Sequence, residues 1–102
     1  MYRQGDVWLK KIDDADLSAA KKVSPEVGRV ILARGEMTGH HHSLSAEVAA
    51  LYVLATGMRI LNVLRQAKLA HQEHGEISLS PGQYEVGRQR EYNPTEVWNV
   101  QD

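Results

Sequence analysis

The chain has 102 residues, enough for one hydrophobic core and too few for two ordinary domains, so a single domain over residues 1–102 is expected. Its 42% hydrophobic and 25% charged residues are the proportions of a folded domain and exclude a disordered acidic or basic tail. A net charge of −1 gives no global electrostatic footprint for nucleic acid or an anionic membrane. The absence of cysteine excludes disulfides and thiolate metal sites, leaving imidazole and carboxylate to hold any metal.

In chain order, the opening "MYRQGDVWLKKIDD" carries charge early and has no apolar run of signal-peptide length. No later stretch approaches membrane-spanning length, so a cytoplasmic protein without a membrane partner is expected. Residues 6–12, "DVWLKKI", are the first predicted strand. Residues 14–23, "DADLSAAKKV", have an aspartate at a cap position but only Leu17 and Val23 as larger apolar anchors before Ser24-Pro25. That predicts a loop or a single helical turn.

Further strands are predicted over 28–34, 51–54, 58–64, 76–80, 84–92 and 96–100, all short and rich in Val, Ile, Leu, Tyr and Trp. Gly35, Gly39, Gly57, Gly75, Pro81-Gly82 and Asn93-Pro94 punctuate them as turns. The alanines of 43–57 also admit a helix there. Trp8 and Trp98, one near each end, are packing residues able to bring the terminal strands together. Seven or eight short strands in this length predict an all-β, mainly antiparallel fold, a small barrel or sandwich. An exposed edge strand would offer a route to a homodimer.

All five histidines lie in two stretches, "GHHHSL" and "HQEHGEI". Side chains alternate along a strand, so an extended 40–44 places His40, His42 and Leu44 on one face. The same parity puts Leu69, His71 and Glu73 together. If the two strands are neighbours, His40, His42, His71 and Glu73, with His74 able to replace one of them, form a cluster suited to a divalent transition metal (Zn, Mn, Fe, Ni or Cu). A vacant coordination position would separate an enzyme from a binder, and a spare carboxylate would serve as general base. The plainer alternative is a solvated polar loop, and for His41 that reading prevails.

"HHHSLSAE" resembles the first half of the cupin signature, with His40, His42 and Glu47 in the places of that family's metal ligands. The resemblance implies a small β-barrel with the metal inside. It continues at "GEISLSP", where Gly75 and Pro81 have the spacing of the second cupin motif. It then departs, because Gln83, Tyr84 and Glu85 stand where a histidine belongs; His71 or His74 would have to supply the missing ligand. "YRQGDV", "TGHHH" and "QREYNP" also resemble small bacterial or phage proteins of no assigned function.

The strand "YEVGRQREY" places Arg88, Arg90 and Tyr92 on one face with Tyr84 and Val86. Guanidinium forks bind carboxylate or phosphate bidentately, so this face is the alternative site, in a non-catalytic module for an anionic ligand, nucleic acid or protein. For nucleic acid, a strand with arginines snorkelling past the core edge is the preferred explanation. "RGEMTG" lacks the order of a phosphate-binding loop, only one His-x-Ser pattern is present, and no serine has a nucleophile-elbow context.

Overall fold

The computed structural model describes residues 1–35 and 39–89. Arg90, Tyr92, Trp98 and the strand expected over 96–100 lie outside the described residues. Among the described residues there are ten strands: β1 (Tyr2–Gln4), β2 (Val7–Ile12), β3 (Lys21–Lys22), β4 (Arg29–Arg34), β5 (His41–Ser45), β6 (Ala49–Val53), β7 (Arg59–Val63), β8 (Ala67–Leu69), β9 (Ile77–Leu79) and β10 (Gly82–Arg88). Every strand pairing is antiparallel. The all-β expectation is met.

Six strands form one sheet in the order β1-β2-β10-β7-β6-β3, while β4-β5 and β8-β9 are two-stranded. Ser43 of β5 and Ala70, just past β8, exchange both backbone hydrogen bonds, at 3.0 and 2.8 Å, which joins the two ribbons edge to edge. The large sheet ends at β1 and β3 without hydrogen-bonded closure among the described residues. This corrects the expectation of a small barrel. Both edges are short, and Lys21 and Lys22 on β3 are exposed, two features that discourage further strand addition.

The core collects inward side chains of the six-stranded sheet and of both two-stranded ribbons, among them Val7, Leu9, Val30, Leu32, Leu44, Leu51, Leu61, Val63, Leu69, Leu79, Tyr84 and Val86. Period-two alternation puts them there. Leu9 and Val86 face one another across β2 and β10, as do Leu51 and Leu61 across β6 and β7.

Residues 43–57 hold the end of β5, a turn and β6, which belongs to a different sheet, and contain no helix. Ser45 accepts the backbone N–H of Glu47 on its hydroxyl at 3.2 Å and that of Val48 on its carbonyl at 3.3 Å, which turns the chain between β5 and β6. Burial of Ala49 and Leu51 on one face then rewards a strand, overriding alanine's helix propensity. In 14–23 a single turn closes where the Ala20 N–H donates to the Leu17 carbonyl, and the chain then enters β3.

One end of the molecule is organised by the β1–β2 hairpin, whose two-residue turn is Gly5-Asp6. Gly5 has φ of 57°, a left-handed value available to glycine at low cost. A methyl group there would lie 2.6 Å from Nε2 of His74, so the histidine segment closes against glycine backbone.

Candidate functional site

Two sequence-distant histidine stretches meet in space, because β5 runs beside β8. The ring centroids of His42 and His71 are 4.3 Å apart, those of His71 and His74 4.6 Å, and those of His40 and His71 5.7 Å. His42 and His74 are stacked with only 11° between their planes. Parity places His42 correctly: with Leu44 it lies on the buried face of β5. It does not extend to His71 and Glu73, since β8 ends at Leu69 and the chain bends away.

Among the described residues, no group of three or more His, Cys, Asp or Glu side chains is arranged to hold a metal ion. This overturns the expected transition-metal site of His40, His42, His71, Glu73, His74 and Glu47. The physical reason is that nitrogens on three of these rings are already committed. His42 Nδ1 meets Gln4 Oε1 at 2.8 Å and its Nε2 lies 3.4 Å from Asp6 Oδ1. His71 Nδ1 accepts the backbone N–H groups of Glu73 and His74 at 3.0 and 3.4 Å. His40 Nδ1 lies 3.3 Å from the exposed Glu73 carboxylate. Stacked rings also present faces to one another, where a metal requires lone pairs aimed at a common point. Glu47 sits in the turn at the far end of β5, where its backbone carbonyl accepts from Arg65. With that ligand displaced, the metal site overturned and the sheet open, the cupin resemblance fails as well.

The hydrogen bonds determine the tautomers. Gln4 donates both amide hydrogens, to the carbonyls of Leu69 at 2.9 Å and Gly75 at 2.8 Å. Its Oε1 must therefore accept, so His42 carries its proton on Nδ1. The Nε2 lone pair then faces the Asp6 carboxylate, a contact that attracts only once His42 is protonated. Burial, aided by neighbouring His71 and opposed by Asp6, holds His42 down to about 4. His71 shows the converse arrangement: Nδ1 is the acceptor, and the neutral ring carries its proton on Nε2. Burial and then His74 lower its pKa below the ordinary histidine value.

Asp6 also reaches Arg88 at the end of β10. Its Oδ2 accepts from Arg88 Nη2 at 2.9 Å and Nε at 3.3 Å, and Nη2 donates further to the Arg34 carbonyl at 3.2 Å. Three more guanidiniums gather in this region. Arg3 donates to Gln89 at 3.1 Å, Arg59 to the Leu32 carbonyl at 2.5 Å, and Arg34 pairs with Glu26. Gln4 and Asp6, which tie the histidines to Arg88, are not singled out by sequence reasoning. A signal was present in the turn-forming Gly5-Asp6 dipeptide ahead of an apolar strand.

No curated protein and no solved structure matches this chain. A family model described as a domain of unknown function, DUF8820, matches residues 3–89. That span runs from β1 through β10 and includes every residue tying the histidines to Arg88, and the chain belongs to this family.

Proposed function

We propose that this chain is a non-catalytic interaction module that binds an anionic group of a ligand or partner protein at the Arg88 end of β10. The carrying observation is the state of the Arg88 guanidinium. Its Nε and Nη2 are engaged by Asp6 and the Arg34 carbonyl, which leaves, among the described residues, the Nη1 N–H donors of an oriented, part-exposed guanidinium for a carboxylate or phosphate. Arg3, Arg34 and Arg59 add positive charge nearby against Asp6 and Glu26. Arg90 and Tyr92, which follow in sequence, belong to the same proposal.

A non-catalytic role is supported by His42, which is 2% exposed with both ring nitrogens facing protein groups and so is poorly placed to exchange protons with a substrate. The β4-β5 and β8-β9 ribbons share a core with the six-stranded sheet, which favours the sandwich reading within one domain. Pairing into a homodimer through β1 or β3 has little support, given their length and the Lys21-Lys22 pair. A cytoplasmic location forms part of this reading. No helix among the described residues is long and apolar enough to cross a membrane.

The test is a titration of the isotope-labelled chain with inorganic phosphate at low and at high salt, followed by NMR. Saturable shifts at Arg88, Arg34 and Asp6 are expected, weakening as salt rises. They should be weaker in Arg88→Lys, which keeps the charge and loses the oriented guanidinium, and absent in Arg88→Ala. An unsaturable response, or an Arg88→Ala variant that binds as the parent does, defeats the reading.

A further inference from the structure

The segment between β8 and β9 has no sheet partner of its own over residues 71–75, yet four contacts hold it closed. Gln4 Nε2 donates to the Gly75 carbonyl at 2.8 Å, and the His41 N–H donates to Gln72 Oε1 at 2.8 Å. The other two are the hydrogen bonds from the N–H groups of Glu73 and His74 to His71 Nδ1, at 3.0 and 3.4 Å. In this arrangement an imidazole lone pair does the work that an asparagine or aspartate oxygen does in an Asx turn. Unlike that oxygen, it is replaced by an N–H when the ring takes up a proton. Two backbone donors then face a third donor.

The closed segment lies over the buried polar pair. His71 and His74 pack on His42, His74 seats on Gly5, and His42 beneath them contacts the Asp6 that holds Arg88. We propose that residues 71–75 are a proton-operated latch: protonation of His71 cancels the two hydrogen bonds that close the segment, which then swings away from His42 and the Asp6–Arg88 pair.

The surroundings of His71 determine when this happens. His40, His41 and His42 face it from β5 and the residue before, and His74 and Glu73 from its own segment. Asp6 and Arg88 lie behind His42 on the β1–β2 turn and β10. The Glu73 carboxylate favours a proton here, and burial with the neighbouring histidines outweighs it. The latch therefore stays shut at neutral pH and opens on acidification, below the ordinary histidine range.

The test is amide hydrogen exchange and ring NMR of the full chain between about pH 7.5 and 4.5. As the His71 ring titrates, protection of the Glu73 and His74 amides, corrected for intrinsic exchange, should fall about tenfold or more while amides of β6 and β7 keep theirs. His71→Asn supplies an oxygen acceptor that does not titrate, so its segment should stay protected throughout. His71→Leu should be open at every pH. Ring titration without loss of protection overturns the latch. So does an Asn variant that opens over the same pH range, or a parallel loss in β6 and β7, which would mean global unfolding. What opening does to binding rests on the Arg88 reading, whereas exchange is measured without any ligand. Failure of phosphate to bind and failure of the segment to open are thus separate results.

Discussion

Val27 is a single residue held at a cost. It occupies the two-residue turn between Glu26 and Arg29, which exchange backbone hydrogen bonds at 2.8 and 2.9 Å, and it has φ of 48° with its side chain fully in solvent. A β-branched residue in the left-handed region loses about 1–2 kcal/mol to its own backbone, and exposure offers no burial in return. Val27→Asn creates the Asn-Gly pair that such a turn prefers. It should raise the urea midpoint by an amount worth about 1 kcal/mol with unchanged slope; an unchanged or lowered midpoint would show that the valine is not strained. Glycine and histidine positions were legible at this scale, since turn residues and ring chemistry are properties of the residue itself. The tautomers of His42 and His71 were not, because each is decided by a partner distant in sequence or by a local bend.

At the scale of the element, β10 shows how a strand is shaped by its neighbour. Its register with β2 runs unbroken from Gln83 opposite Ile12 to Arg88 opposite Val7, so no bulge at Gly87 reverses the parity of Arg88. Gly87 is required because the Trp8 indole lies across it: a Cβ there would be 2.0 Å from Trp8 Cζ2. Gly87→Ala should therefore push the indole aside and cost about 1–3 kcal/mol. The cost should largely disappear in a Trp8→Leu background, as a double-mutant cycle would reveal. Equal costs in both backgrounds would place the strain elsewhere. Strands β4, β6, β7, β9 and β10 were readable from β-branched runs between turn residues, whereas β5 and β8, which carry few β-branched residues, were not among the predicted strands. The segment 43–57 was ambiguous because alanine satisfies either period, and the Ser45 turn and the burial of Leu51 decide it.

For the whole molecule, the buried histidine links stability to pH. His42 titrates near 4 in the folded chain against 6.5 for an ordinary histidine, so the unfolded chain binds the extra proton first as pH falls. Its contribution to stability is complete above about pH 6.5 and is lost progressively between there and about pH 4. At about 1.4 kcal/mol per pH unit it amounts to roughly 3 kcal/mol. Urea unfolding across that range should show the decline. His42→Asn, which keeps a donor for Gln4 Oε1 and does not titrate, should flatten it, and a variant with the parent's slope would assign the pH dependence to other groups.

The sequence by itself determined the all-β, antiparallel class, most strand positions, the inward face of His42 and Leu44, and the presence of two histidine stretches that could meet. These follow from local periodicity and turn chemistry. Only the tertiary structure decided what the meeting amounts to. Gln4 and Asp6, on a short edge hairpin, claim the nitrogens of His42 and orient Arg88, and a bend after Leu69 turns His71 onto its own backbone. A lone pair has one direction, and that direction is determined by the partner the fold brings to it. His42 and His71, which by spacing resembled metal ligands, are therefore committed to hydrogen bonds inside the protein.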